Sequence, residues 1–546
     1  MLVAWMSVLA LAQEPWLIDQ ASQMGLTFTH TNGMTGEWTI LETMGSGCAF
    51  IDYDRDGDLD VYLVQGAKIG SGTMLFPPKS PLSDRLFRND LDGATGKVSF
   101  VDVTQKSGIS AAGYGMGAVV DDFDRDGWPD LYVTNYGPNQ LWRNLGNGTF
   151  EDVTERTKSG DDRWSVAALF VDINNDTLPD LLITNYVEFT LENHRICPTK
   201  SGSKGYCGPS LYPDARDRLL INKGGTFEDV SQKLTEFGSA LGAIALDADR
   251  DNRLDLYIAN DGDPNILWLN PNNGVLVNRA LEWGCAVNSR GAPEASMGVA
   301  CEDSDGDGDL DIIVTHLSSE THTLYSQQKG YFEDQTLSTG IAASSRRATG
   351  FGVNWIDVDR DGWLDLFIAN GNVYAIEELQ RVNDPYPLHQ PNHFFQNKGS
   401  GKYVDASQVA IEPFSEVSRG SAAGDFDNDG DIDLLVTNNN GPVRLLVNRH
   451  PNQYAWIGIA LCEESAWYVM HAELIVTTAS GRKLLRRAHS VSSYASSEDP
   501  RVLFGLGEEH GPVQLEVRYS DGVVEQFGPL TPNRYHSLVR GKGTTE

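Results

Sequence analysis

Apolar runs recur along this chain at a fixed place, directly after an acidic stretch. The runs VYLVQG, LYVTN, LLITN, LYIAN, IIVTH, LFIAN and LLVTN are β-branched and apolar at almost every position. That pattern predicts strands buried on both faces. A Gly-rich strand precedes each acidic stretch, as in GMGAVVDDF and GFGVNWID. A second strand follows the apolar run, as in NQLWRN, NILWLN and VRLLVN, and a Gly turn leads to a last one such as TFEDVT, TFEDVS or YFEDQT. Four strands per unit is the make-up of a propeller blade. The seven acidic stretches start 70, 50, 75, 56, 54 and 68 residues apart, a variable period that suggests blades with inserted loops.

The last unit stops at 443–450 without its final strand. Trp16-Leu17-Ile18-Asp19 resembles that strand, so the N-terminus is expected to complete the last unit and close the ring. The expectation is an all-β chain. A seven-bladed β-propeller covers 13–450, and a small β-sandwich-like domain covers 451–546. In the latter, WIGIALC, AELIVTTA and VQLEVRYS alternate apolar and polar, and Ser480-Gly481 and Asp521-Gly522 mark hairpin turns.

The acidic stretches are nine residues long and carry readable chemistry. Carboxylates at positions 1, 3, 5 and 9 converge when position 6 turns sharply, and a backbone carbonyl at position 7 adds a ligand. Gly at position 6 permits the left-handed turn. The first loop offers Asp52, Asp54, Asp56, Asp58 and Asp60. The second offers Asp122, Asp124, Asp126, the carbonyl of Trp128, and Asp130. The third offers Asp172, Asn174, Asp176 and Asp180. The fourth offers Asp247, Asp249, Asp251, the carbonyl of Arg253, and Asp255. The fifth offers Asp303, Asp305, Asp307, Asp309 and Asp311. The sixth offers Asp357, Asp359, Asp361, the carbonyl of Trp363, and Asp365. The seventh offers Asp425, Asp427, Asp429, Asp431 and Asp433. Hard oxygen donors in this number suit Ca²⁺, up to seven ions in a structural role. An EF-hand would place Glu at position 12, where Leu63 and Thr134 stand instead. The third loop departs from the pattern, with Asn174 at position 3 and Thr177 at position 6, and is expected to bind most weakly.

These loops and the strands around them resemble the FG-GAP repeats of integrin α-subunits and the related VCBS-type repeats. The stretch LETMGSGCAFIDYDRDGDLDVYLVQG resembles the opening of the cartilage acidic protein family. The segment containing SYASSEDPRVLFGLGE is similar to the ASPIC/UnbV domain that ends those proteins. The resemblance implies a seven-bladed calcium propeller followed by a C-terminal β domain. It implies no settled biochemical activity.

The formal net charge of −34 argues against a nucleic-acid ligand, and seven divalent ions would bring it to −20. Leu2 to Ala12 is apolar and ends in Ala10-Leu11-Ala12, which reads as a signal peptide over 1–12 with cleavage before Gln13. No later apolar run has the length of a membrane span. Secretion, the periplasm or the cell surface follows. Six cysteines suit an oxidising compartment, and Cys197 and Cys207 in CPTKSGSKGYC are the disulfide candidates. Pairing of Cys285 with Cys301 is open. Cys48, Cys301 and Cys462 lie in apolar stretches that suit buried thiols.

Three long insertions share one address, between the post-loop strand and its partner: Gln65 to Asp84, Val187 to Asp217 and Gly371 to Asn392. They are expected on one face, with Lys68, Lys79, Lys200, Tyr374, Arg381 and His389 as ligand candidates. The alternative is that they merely cover the top of the repeats. The C-terminal domain is locally basic, with Arg482, Arg486, Arg487 and Arg501, and docking on the acidic repeats is its simplest use. His316, His322, His389 and His393 have no nucleophile motif beside them. The reading is a non-catalytic extracellular module that binds or adheres to a protein or glycan. A calcium-dependent polysaccharide enzyme and an accessory factor of a biosynthetic or export assembly stay open as alternatives.

Overall fold

The computed structural model describes residues 14–78, 81–199, 202–271, 274–328, 330–451, 454–464 and 467–545. The apolar leader with its cleavage site, Lys79 and Lys200 lie outside these residues.

Each repeat folds as a four-stranded antiparallel sheet. The second repeat shows the plan, with Tyr114–Asp121, Asp130–Tyr136, Gln140–Asn144 and Phe150–Asp152 in that order. The post-loop strands are buried throughout, as in Asp180–Asn185 and Asp365–Asn370, which is why their sequences do not alternate. In the outermost strand only the leading aromatic is buried, as with Phe150 and Phe227. The Asp that ends it caps the next turn: Asp152 accepts the Thr154 N–H, and Asp334 that of Thr336. This is the structural content of the FEDVT-like motif. The strand Leu17–Asp19 pairs with Arg444–Asn448 and supplies the outermost strand of the last repeat.

The expectation of a closed seven-bladed β-propeller, integrin α-like, is corrected here. No sheet closes on itself, and the backbone ladder ends at the outermost strand of each repeat. The physical reason is that four strands satisfy one another within a repeat. Neighbouring repeats meet through side chains, as in the shared apolar core of Val119, Phe123, Phe170 and Leu181. The C-terminal region is tied to the repeats. Its short strands Val491–Ser492 and Ser496–Ser497 join the first repeat's sheet, which therefore has six strands.

That C-terminal excursion runs between the inner strands of the repeats. Ser493 exchanges backbone hydrogen bonds with Val299, at 2.8 and 3.0 Å. Ala118 N–H donates to Ala495 O at 3.1 Å, and Asp499 N–H to Ala423 O at 3.0 Å. The hydroxyls of Ser496, Ser497 and Ser493 accept from the N–H groups of Cys48, Val120 and Val353. Val491 packs on the cores of the third and fourth repeats. Gly47 is required here, since a Cβ on it would lie 1.7 Å from Ala495 O. The rest of the C-terminal region forms two sheets around one core that includes Ile457, Leu474, Phe504 and Leu515.

Cys197 and Cys207 form a disulfide, with Cα atoms 5.1 Å apart. Cys285 and Cys301 do not pair. Both are buried free thiols, as is Cys48, while Cys462 is a half-buried one.

Candidate metal centres

All seven acidic loops fold alike. The backbone N–H at position 6 donates to the position-1 carboxylate, at 2.8 to 3.2 Å, from Gly57 to Asp52 through Gly430 to Asp425. Position 6 is left-handed in every loop, from φ +64 at Asn252 to +94 at Gly57. Position 4 is left-handed too, near +57 to +60 at Arg55, Arg125, Asn175, Arg250, Arg360 and Asn428, and +78 at Gly306. That second turn was not apparent from sequence, because Arg gives no signal of a positive φ.

The loop carboxylates converge. Asp52, Asp54 and Asp60 each offer an oxygen within 4.8 Å of the others, as do Asp122, Asp124 and Asp130. Triplets from the fourth, fifth and sixth loops meet the same condition. Such groups could hold a metal ion. Oxygens of Asp52, Asp54, Asp124, Asp357, Asp427 and Asp433 are buried and take no hydrogen bond among the described residues. A buried acceptor without a donor is costly, and a cation supplies what is lacking. Charge tells the same story. Burial, then the neighbouring carboxylates, pushes Asp52 up to about 7. Burial lifts Asp122 and Asp357 likewise to about 7, and Asp365 well above the usual carboxylate range.

A pH prediction follows. These carboxyls bind protons more tightly in the metal-free folded state than in the unfolded chain, where an Asp titrates near about 3.9. Stability of the metal-free protein therefore falls as pH rises from about 4 through about 7. Melting in chelator should occur at a higher temperature at pH 5 than at pH 7.5. With calcium in excess the order should invert, because acid displaces the ion. Identical pH profiles with and without calcium would refute this account.

Position 9 is held from both sides. In the first six loops its carboxylate accepts the position-2 N–H, as Asp60 does from Tyr53 at 3.0 Å. In all seven it also accepts the N–H of the residue that ends the partner strand: Asn89, Asn144, Asn222, Asn270, Gln327, Asn397 or Asn448. The side-chain amides of those seven residues then reach the preceding loop. Asn144 donates to Tyr53 O, Asn222 to Phe123 O, Asn270 to Ile173 O and Gln327 to Ala248 O. Asn397 donates to Ser304 O, Asn448 to Val358 O and Asn89 to Phe426 O. Every loop is thereby fastened to the one before it, the first to the seventh. The recurring Asn at the end of RLFRN, NQLWRN and RLLIN was the available signal, and its role was missed.

Two loops differ in substance. In the third, Thr177 adopts φ +75, a strained backbone for a β-branched residue, and Asn174 turns its carbonyl to the Asp176 N–H at 2.8 Å. Thr177→Gly should relieve the strain and stabilise the protein by about 1 kcal/mol. Paired denaturation curves in calcium check this, and a destabilised variant would count against it. In the second loop, Arg143 bonds both Asp124 and Asp126. An arginine there already supplies positive charge and competes with a cation.

The C-terminal region covers this loop end. Arg482 donates to Asp361 O at 2.7 Å, Arg486 to Gly362 O at 3.1 Å and Arg501 to Asp425 O at 2.6 Å. Tyr535 bonds the Asp425 carboxylate at 2.8 Å. The basic residues thus dock on the acidic loops.

The three insertions lie at the opposite end. Phe76, Tyr206, Tyr386 and Leu388, drawn from all three, pack with Met34 and Trp38 in one apolar cluster. The named ligand candidates are not gathered into one site. Lys68 is exposed and bonds Ser71 O, Arg381 is tied to Glu377 at 3.2 Å, and His389 bonds Ser415 O. Tyr374 borders a cavity. A hydrolase-like trio exists elsewhere, with Ser296 Oγ 3.1 Å from His316 Nε2. It is closed off, since Ser296 is 1% exposed, and His316 Nδ1 bonds Thr321 O at 2.7 Å with Glu294 3.9 Å away. His322 is also buried, at 0%.

An acidic nine-residue loop inside every four-stranded unit defines a repeat protein built around candidate cation loops. The FG-GAP-like repeat family model matches residues 122–183, 247–314, 303–368 and 382–436, and the ASPIC and UnbV model matches 465–545. Cartilage acidic protein 1 of Xenopus tropicalis is 28% identical over 228 residues, covering 39% of this chain and 33% of that protein. Its Homo sapiens counterpart is 27% identical over 262 residues, 44% of this chain and 37% of that one. The chain belongs to the FG-GAP-repeat, ASPIC/UnbV-domain family of cartilage acidic proteins. The matched stretch spans little more than a third of the length of these curated relatives. Among solved structures, YCF48 bound to a D1 peptide superposes with a TM-score of 0.40 at 8% identity, over 81% of this chain and 100% of that one.

Proposed function

We propose that this protein is an extracellular, non-catalytic binding or adhesion module in which the acidic loops hold structural Ca²⁺, up to seven ions. The observation that carries this is the sevenfold recurrence of one loop geometry, with buried carboxylate oxygens left without donors. Ca²⁺ accepts six to eight oxygens at 2.3–2.6 Å, a demand that four carboxylates and a carbonyl go far to meet. The ions would compensate like charges and rigidify the repeats, and none would act on a substrate. The residues named above at positions 1, 3, 5, 7 and 9 are the proposed ligands. Export to an oxidising compartment agrees with the disulfide. No helix among the described residues is long and apolar enough to cross a membrane.

The loop end is occupied by the C-terminal region, so the insertion face is the proposed contact surface for an extracellular protein or glycan. Elemental analysis after dialysis should find several Ca²⁺ per chain, and at most one would refute the metal reading. A glycan and protein array run with and without chelator should yield calcium-dependent binding. Turnover of a polysaccharide by the purified protein would refute the non-catalytic reading.

A further inference from the structure

A cavity of about 30 Å³ lies beneath the insertions. The helix Leu41–Met44, the disulfide-bonded insertion and the insertion carrying Tyr374 enclose it. That is room for one or two groups the size of water. Its walls are apolar and aromatic, with Met44, Met297, Phe351 and Tyr374. One charged group lines it, Asp261. The Tyr186 hydroxyl donates to one Asp261 oxygen. No donor among the described residues meets the other, and no Lys, Arg or His pairs with it. Glu320 and Asp263 nearby only add negative charge, and burial with their field pushes Asp261 up to about 7. A buried cation, Arg419, lies against Phe351, 3.9 Å from the centre of that ring. Its donors are spent on the carbonyls of Thr43, Gly371, Ser418 and Asn372.

We propose that this cavity binds a primary ammonium group on an apolar stem, the chemistry of a lysine side chain presented by a protein partner. An anion would meet Asp261 with no donor to offset the repulsion. A divalent metal would find one carboxylate where it needs six oxygens or more. An uncharged apolar group would cover the half-buried carboxylate and leave its second oxygen without a donor. An ammonium satisfies the free oxygen and faces the ring of Tyr374, whose π-face attracts cations. Tyr374, 46% exposed, stands at the mouth.

This rests on the insertion face being the contact surface, and a test with a soluble probe separates the two claims. The full chain in calcium is titrated with Nα-acetyl-lysine methylamide and with its neutral Nε-acetylated counterpart, read by saturation-transfer NMR. The charged probe should bind and the neutral one should not. Asp261→Asn should weaken binding at least tenfold, and Tyr374→Ala roughly threefold with melting unchanged. Equal binding of both probes, no binding at all, or unchanged affinity in Asp261→Asn would overturn the proposal. If Asp261→Asn does not fold, unchanged affinity in Tyr374→Ala overturns it. A probe that binds when no array partner is found leaves the cavity standing and removes only the partner reading.

Discussion

Removal of calcium is expected to lower the melting temperature further than any single substitution in this chain. An ion that binds only the folded state stabilises it by about 2.7 kcal/mol when present at a hundredfold excess over its dissociation constant. Several such sites together exceed about 10 kcal/mol, comparable with the whole stability of a typical domain. Without ions, the carboxylates at positions 1 and 9 stay buried beside one another, and burial pushes Asp180, Asp303 and Asp311 up to about 7. Calorimetry in excess calcium and in chelator measures the difference, with back-titration to show reversal. Magnesium should substitute poorly, since it demands near-octahedral geometry at shorter distances. A shift of under about 2 °C on chelation would mean that the loops are self-sufficient, and the metal reading would fail.

The second large effect belongs to the amides that fasten the loops together. Asn397 is 2% exposed. Its side chain donates to Ser304 O and Leu364 O, both at 3.0 Å, while its N–H donates to Asp365 at 2.7 Å. Asn397→Ala strands the buried carbonyl of Ser304 and leaves that of Leu364 with the Tyr403 hydroxyl alone, at 3.3 Å, so a loss of roughly 2 kcal/mol is expected. Asn397→Asp should be worse, because it sets acceptors against acceptors. Calcium affinity should fall in the fifth loop as well as the sixth, since the side-chain amide touches position 2 of one and position 8 of the other. Denaturant midpoints and calcium titration of both variants test this. An Asn397→Ala variant within about 0.5 kcal/mol of the parent would show these carbonyls are satisfied otherwise.

What the sequence disclosed and what it hid divide along a physical line. The acidic loops were legible because all their ligands lie within nine consecutive residues and one turn brings them together. The strands beside them were legible because burial on both faces leaves a continuous apolar run. The N-terminal strand was found at Leu17–Asp19 because it shares its pattern with six others. The amide fastening was not, since Asn89 and the carbonyl it meets are 337 residues apart. Sheet closure was over-read, because periodicity counts the repeats without saying how they join. The segment SVSSYASSED was read only as part of a family signature. Short hydroxyl side chains look like loop residues until the strands they satisfy are known.

That segment has a consequence for how the molecule is made. The N–H groups of Cys48, Val120 and Val353 donate to the hydroxyls of Ser496, Ser497 and Ser493. A ribosome delivers these serines after every repeat has already emerged. Until then the inner strands face a vacant middle, with unpaired backbone groups and apolar flanks open to wrong partners. Synthesis of this segment is therefore the step that commits the repeats before it, and the nascent chain needs guarding up to that moment.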